Sequence, residues 1–246
     1  MGLEIALIVV GCLIAIIGCV SMVVSAWLAI QYIKFNRMEN SACLTGEQVA
    51  RKILDSNGLY HIKVKVTGSI MFGNSYSHYF KKVRLRRFTR NKQSLTALGM
   101  GAQKASLAIL DKEKDPDMQT RIKLYPLITF GPFMFIPLIL IGALLDYFVF
   151  SQSGTCVYIL GAAGFLFYVY AVVLSVSTLK TEKKAQEKAY EILSKEKLAT
   201  EVELYRLKEL FRLYNIQYVN DIILSSLELI YNILQIAIAV QKTSKK

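Results

Sequence analysis

The side chains that most often perform chemistry in enzymes are scarce in this sequence. Among 246 residues it has two histidines, His61 and His78, and four cysteines. Imidazole and thiolate groups at short fixed spacings would predict a zinc site, but neither histidine has a Cys or a second His at such a spacing. Two histidines also give no convincing Ser, His and acid set for nucleophilic catalysis. The sequence therefore favours structural or surface roles for both.

A basic run is the second feature that could carry a function. Residues 81–92 contain seven bases and no acid, and the bases are Lys81, Lys82, Arg84, Arg86, Arg87, Arg90 and Lys92. A base close to an anionic leaflet gains about 1 kcal/mol of attraction, so contact with anionic lipid headgroups is the first interpretation. A solvated basic face without a role is the second. Nucleic acid is disfavoured because the sequence holds no nucleic-acid motif.

Long apolar runs determine where these groups can lie. Residues 5–33 contain no charged side chain, and a helix needs about 20 apolar residues to cross a bilayer. Further spans are predicted at about residues 126–145, 156–179 and 222–240. The last of these is the weakest, because it includes Glu228 and a charge in hydrocarbon is costly. The polar residues 151–155 predict a turn between the second and third spans.

The charged residues between the spans predict the orientation. Residues 34–123 hold 18 Lys and Arg against 7 Asp and Glu, and residues 180–217 hold 9 against 7. By the positive-inside rule both regions are cytoplasmic. We therefore expect a multi-pass protein of the cell membrane with its main domain on the cytoplasmic side. The tail lysines Lys242, Lys245 and Lys246 disagree, since a fourth span would place them outside.

Local patterns predict the elements of the larger charged region. Thr45 and Gln48 form a capping-box pattern that begins an amphipathic helix, and residues 57–58, Asn-Gly, end it. Residues 61–67 alternate apolar and basic side chains, which predicts a strand with one buried face. A second extended segment is expected around residues 83–85.

Two further helical regions follow. Residues 93–110 are mostly small and apolar and predict a helix that is packed on most sides, in which Gly99 and Gly101 permit another element to approach closely. Residues 180–197 and a helix capped by Thr200 predict a helical hairpin. Its ends are tied to two spans, so we expect it to pack against the domain of residues 34–123.

A longer motif connects this chain to a known family. Residues 44–59 read L-T-G-E-Q-V-A-R-K-I-L-D-S-N-G-L. This stretch resembles the opening of the bacterial integral-membrane neutral zinc metallopeptidases of the YugP type. A V-R-L strand, here residues 83–85, and two apolar spans follow in the order found in that family. The resemblance covers nearly the whole chain.

The resemblance completes the expected fold. It implies a mainly α integral membrane protein with about four transmembrane helices, a small α+β zincin-like cytoplasmic domain and a cytoplasmic helical hairpin. The expected division is a first transmembrane helix (1–33), the zincin-like domain (34–123), a transmembrane hairpin (124–179), the cytoplasmic hairpin (180–217), and a last transmembrane helix with the basic tail (218–246).

The catalytic motif that the resemblance implies is altered. In H-E-x-x-H two histidines hold zinc and the glutamate is the general base. The aligned residues here are Gln103, Lys104, Ala105, Ser106 and Leu107. A glutamine amide is a weak ligand, leucine is none, and a protonated lysine repels a metal and cannot act as a base. The family's zinc and its catalytic residues are therefore predicted to be lost.

One element of the implied site is retained. The same alignment places the family's third zinc ligand, a glutamate after the third span, at Glu182. A buried carboxylate without a partner would be costly. We therefore expect the Lys104 ammonium to lie near the vacated metal position and to pair with Glu182, so that one fixed positive charge replaces the ion.

These observations lead to a functional hypothesis with two alternatives. The hypothesis is a membrane pseudopeptidase, a scaffold or regulator that binds a membrane protein or anionic lipid at its cytoplasmic face. The first alternative is an active metallopeptidase with non-standard ligands. The second is a small transporter or channel subunit, for which Asp146, Asp221 and Glu228 are the available intramembrane acids.

Overall fold

The chain is mostly helical with one small mixed sheet, as a computed structural model shows. The structure describes residues 2–67, 73–128, 131–149 and 154–243. Two compact units are distinguished. The first unit comprises Met1–Met22, Arg121–Ser177 and Tyr218–Lys246, and the second unit comprises Val23–Thr120 and Thr178–Gln217. The residues predicted for the altered site all belong to the second unit.

The described elements comprise eight helices and three strands. The helices are α1 Gly2–Arg37, α2 Gly46–Ser56, α3 Arg87–Asn91, α4 Leu95–Lys112, α5 Pro116–Ile128, α6 Gly131–Phe148, α7 Thr155–Lys195 and α8 Glu201–Thr243. The strands are β1 Lys63–Val66, β2 Ser75–Ser77 and β3 Lys82–Leu85. The sheet order is β1-β3-β2, with β3 parallel to β1 and antiparallel to β2.

Two of the described helices, α1 and α7, are long and apolar enough to cross a membrane. They contain the first and third predicted spans. The second predicted span overlaps α6, in which Pro137–Phe148 is a shorter apolar helical segment. The fourth lies within α8, which in its described part does not meet the same criterion. Four spans therefore remain a prediction, and most of the expected turn, residues 151–153, lies outside the described residues.

Helix α2 forms as its capping pattern predicts. The Thr45 backbone N–H donates to the Gln48 side chain (2.8 Å), and the Gln48 N–H donates to Thr45 Oγ1 (3.3 Å). The helix ends before Asn57, and Gly58 has the positive φ of +69° that glycine adopts without strain. Its apolar face, Val49, Ala50, Ile53 and Leu54, is fully buried.

The sheet corrects one prediction and adds a strand. The extended segment expected around residues 83–85 is the central strand β3, on which the side chains of Val83 and Leu85 are fully buried. On β1 the predicted buried face is wrong beyond Ile62, because Val64 is half-buried and Val66 is exposed. Strand β1 lies at the sheet edge, and the only fully buried residue of this alternation is Ile62, which precedes the strand. Strand β2 was not predicted.

Helix α4 is the centre of the second unit. All of its residues except the last are buried, and Ser94 caps its first turn by accepting from the Ala97 N–H (3.2 Å). The close approach expected at its glycines is confirmed. A Cβ at Gly101 would lie 2.6 Å from the Gly46 carbonyl oxygen of α2, and one at Gly99 would overlap Leu207 of α8. Two helices can therefore cross α4 at short distance.

The predicted hairpin is formed by the ends of two long helices. Helix α7 continues without a break from its apolar part to Lys195. Thr200 then begins α8 through a reciprocal pair of bonds with Glu203. Glu203 also accepts from the Ser41 N–H (2.7 Å) and Oγ (2.6 Å). As predicted, the hairpin packs against the region that follows α1.

Candidate functional site

Two polar residues lie in the middle of the buried helix α4. Gln103 and Lys104 are only 4% and 6% exposed. An ammonium group at such a position loses its hydration and stays charged only beside a compensating partner. The structure therefore has to supply an acid close to Lys104.

That acid is Glu182 of α7, which is 2% exposed. The Lys104 Nζ donates to Glu182 Oε2 at 2.8 Å, and the Gln103 amide donates to the same oxygen at 2.9 Å. The ion pair expected from the sequence is therefore present. It joins two helices whose paired residues are 78 positions apart.

The helices around this pair are held by further contacts. One turn after Glu182, Gln186 and Asn215 exchange two amide hydrogen bonds of 3.0 and 2.8 Å, which connect α7 to α8. One turn after Gln103, Leu107 is 1% exposed and contributes only an apolar side chain. The Gln103–Lys104–Glu182 cluster is thus enclosed and in fixed register.

The donor set of the cluster does not fit zinc. Zinc in proteins takes thiolate, imidazole and carboxylate ligands. The cluster offers one carboxylate, Glu182, and places an ammonium and an amide N–H against one of its oxygens. Across the parts of the chain that the structure describes, no three His, Cys, Asp or Glu side chains converge as a metal site would require.

The two histidines belong to a different part of the second unit. His78 Nδ1 lies 2.7 Å from Asp111 Oδ2 near the end of α4. The Tyr76 hydroxyl donates to the same oxygen at 2.6 Å, and Lys81 Nζ lies 3.3 Å from it. His61 is exposed on the loop before β1. The structural role that the sequence favoured thus describes His78, while its partner Asp111 was missed.

The Asp111 carboxyl group is kept ionised by these neighbours. Burial by itself raises the pKa of a carboxyl group. Hydrogen bonds from Tyr76 and His78 and the charge of Lys81 outweigh burial, so the pKa of Asp111 is lowered. The pKa of Tyr76 is raised, first by burial and then by the bond to Asp111.

Two of the seven bases of residues 81–92 form ion pairs within the second unit. Lys81 pairs with Asp111, and Arg90 binds Glu47 at 2.7 Å. The hydrogen bond to Glu47 is the main cause of the raised pKa of Arg90. These two bases therefore contribute to the internal structure of the second unit.

The remaining bases are interleaved with exposed aromatic rings. Lys82 and Arg84 lie 5.4 and 5.6 Å from the centre of the Phe80 ring, and Lys92 lies 5.9 Å from that of Phe88. Phe80 and Phe88 are 62% and 68% exposed. Arg86 and Arg87 are also exposed. Exposed rings flanked by bases are typical of surfaces that meet a membrane interface.

Comparison with known proteins places these features in context. A sequence profile described as "Putative neutral zinc metallopeptidase" matches residues 9–237. The chain is also 27% identical over 168 residues to the "Putative membrane protease YugP" of Bacillus subtilis (strain 168), which covers 66% of this chain and 68% of that protein. No solved structure matches.

Proposed function

This chain belongs to the family described as "Putative neutral zinc metallopeptidase", and we propose that it is a member without zinc and without hydrolytic activity. The fold then serves as a scaffold or regulator in the membrane. The observation that carries the proposal is the buried contact between Lys104 and Glu182, at 2.8 Å. It supplies a positive charge to the carboxylate that the resemblance identifies as a zinc ligand.

The chemistry of the three altered positions supports this proposal. Hydrolysis by an H-E-x-x-H enzyme needs two neutral imidazoles for the metal and a carboxylate that accepts a proton from water. Gln103 and Leu107 offer no imidazole. Lys104 is cationic in its pair with Glu182 and has no lone pair to accept a proton while it is charged. No group in the cluster is suited to replace the general base.

The alternative of a transporter receives little support from Asp146. Asp146, which is 4% exposed, accepts hydrogen bonds from the backbone N–H groups of Cys156 and Val157 at 3.1 and 2.9 Å. It therefore satisfies orphan donors in the first turn of α7, a capping role that needs no transported ion.

The proposed arrangement in the membrane follows from charge. Four spans would place residues 34–123 and 180–217, which carry most of the bases, together on the cytoplasmic side. Similarity to a protein named as a membrane protease supports a membrane location. A multi-pass topology could be tested by labelling single cysteines in the two regions from each side of the membrane.

We propose that the cytoplasmic face, with the bases of residues 81–92, contacts the lipid surface. If the protein is a scaffold, it also binds a second membrane protein. Helix α3 packs against the end of α1, where Tyr32 and Thr89 are in contact (3.5 Å). The apolar run of α1 ends one residue after Tyr32. If α1 crosses the membrane, Phe88 and its neighbouring arginines lie at the depth of the headgroups, where anionic lipid attracts them.

Metal content tests the main proposal. The full chain is purified in detergent without chelator and its zinc is measured by mass spectrometry, alongside proteolysis of a casein substrate with and without chelator. We expect far less than one zinc ion per chain and no proteolysis that a chelator removes. Stoichiometric zinc, or chelator-sensitive proteolysis that Glu182→Gln abolishes, contradicts the proposal and favours an active enzyme with non-standard ligands.

A further inference from the structure

Both histidines of the chain line one cavity, away from the Lys104–Glu182 pair. The cavity has a volume of about 320 Å³. Its walls come from the loop before β1, the turn after β2, the end of α4 and the beginning of α5. The lining residues with polar side chains are His61, Tyr76, His78, Lys81, Asp111, Lys112, Lys114 and Gln119.

Among the lining residues the one acid, Asp111, is ionised but already paired with its neighbours. Asp111 Oδ2 receives the Tyr76 hydroxyl and His78 Nδ1 and faces Lys81 Nζ, all within 3.3 Å. The ammonium of Lys81 balances the charge of this carboxylate, which therefore repels an anion less. Because Nδ1 of His78 is directed at Asp111, the opposite ring nitrogen, Nε2, is directed away from it.

The cavity has an excess of positive charge. Lys112 Nζ donates to the carbonyl of Asn57 at 2.6 Å, which is a neutral partner. Within the described residues, neither Lys112 nor Lys114 lies within ion-pair distance of a carboxylate. Lys81, Lys112 and Lys114 thus face a single ionised acid, Asp111. Concave sites with uncompensated ammonium groups attract anions and concentrate them.

We propose that this cavity binds a small oxyanion, a phosphate or a carboxylate, with the ammonium of Lys114 as its main charged contact and His61 beside it. The volume is at the lower end of the range of small-molecule pockets, so the site admits a small ligand or the end of a larger one. The proposal does not depend on whether the chain has lost its zinc chemistry.

The two histidines provide a direct assay. Selective labelling with ¹⁵N-histidine gives imidazole signals from His61 and His78 alone, and both side chains line the cavity. Sodium phosphate and sodium acetate are titrated into the full chain in detergent, with sodium chloride at matched ionic strength as the reference. We expect saturable shifts of both imidazoles with phosphate, acetate or both, and none with chloride. The anion that saturates identifies the oxyanion class.

A matched pair of lysine variants localises the site. Lys114 and Lys197 both follow a helix and both have positive φ, of +55° and +52°. Asparagine tolerates this backbone, so Lys114→Asn and Lys197→Asn remove one charge each at equivalent positions. Loss of a charge-assisted hydrogen bond should weaken binding about tenfold in Lys114→Asn. Lys197 does not line the cavity, and Lys197→Asn should leave binding unchanged. No saturable shift with either anion, or equal weakening by the two substitutions, overturns the proposal.

Discussion

Lys104 Nζ and Glu182 Oε2 are 2.8 Å apart, and the side chains that carry them are only 7% and 3% exposed. The pair therefore lies in a region where water contributes little to solvating either charge. A buried ion pair in such a place is held by mutual dependence, since each partner alone would be an uncompensated charge.

Breaking the pair should destabilise the protein strongly. Lys104→Met removes the ammonium partner of the buried Glu182 carboxylate, and we expect a loss of about 3–5 kcal/mol in the free energy of unfolding. Lys104→Met combined with Glu182→Gln removes both charges and should recover a large part of that loss. Chemical unfolding in detergent, followed by circular dichroism, measures the difference.

The matched control for this measurement is the exposed Lys184 on α7, the helix that carries Glu182. Lys184 binds Asp115 and Asp117 at 2.8 and 2.6 Å and is 39% exposed. Lys184→Met should cost less than about 1 kcal/mol. Equal losses for Lys104→Met and Lys184→Met, or no recovery in the double variant, would show that burial of the pair has no energetic consequence.

Restoring the three altered positions should create a zinc site. Residues 103 and 107 are one turn apart on α4, and the side chains of Gln103 and Lys104 already touch Glu182. The triple variant Gln103→His, Lys104→Glu, Leu107→His therefore has two imidazoles on one face and a carboxylate from α7. We expect it to bind one zinc ion per chain, and the addition of Glu182→Gln to weaken that binding. A folded triple variant without zinc affinity would contradict the assignment of Glu182 to the position of a zinc ligand.

The two glycines of α4 should respond differently to alanine. At Gly101 the added methyl group would meet backbone of α2, 2.6 Å from the Gly46 oxygen, and backbone cannot rotate away. At Gly99 it would meet the end of the flexible Leu207 side chain. Gly101→Ala should therefore be the more destabilising substitution, by about 1–3 kcal/mol, in the same unfolding assay. A larger effect at Gly99 would show that α8, rather than α2, approaches α4 most rigidly.

Sequence reasoning was most successful where the determinant is local. The capping bonds of Thr45 and Gln48 join residues three positions apart, and the small residues around Gly99 and Gly101 mark a crossing point within one helix. These patterns are visible in a few consecutive letters. The position of Glu182 followed from the family resemblance, because no short-range pattern connects it to α4.

The features that were missed depend on long-range packing. Asp111 meets His78 across 33 residues, and Arg90 meets Glu47 across 43. Hydrophobic periodicity carries no information on which charged side chains converge when a sheet packs on a helix. The exposure of Val66 has the same origin, since the alternation of β1 indicates a strand but not how far the core extends beneath it.

The aromatic side chain of α3 should contact lipid. Trp27 is the only tryptophan, so Trp27→Phe combined with Phe88→Trp places the single tryptophan of the chain at position 88. In nanodiscs that contain anionic lipid, brominated acyl chains should quench its emission, and Arg86→Glu with Arg87→Glu should reduce the quenching. Tyr60, 73% exposed beyond the end of α2, provides the control Tyr60→Trp, for which we expect little quenching. Equal quenching at both positions would contradict a specific lipid contact at α3.

The Glu203 carboxylate should make stability depend on pH. Burial alone would raise its pKa, but hydrogen bonds from Ser41 and Thr200 outweigh burial, so the pKa of Glu203 in the folded protein is lowered. A carboxyl group with a lowered folded pKa stabilises the fold at pH values above its unfolded pKa, near 4.3 for glutamate, and this contribution is lost as the pH falls through the folded value.

Unfolding free energies of the wild type and Glu203→Gln, measured from neutral to acidic pH, isolate this contribution. We expect the wild type to be more stable at neutral pH and the difference to shrink below about pH 4, because glutamine mimics the protonated acid. A difference that stays constant over this range would show that the bonds to Ser41 and Thr200 do not favour the ionised form.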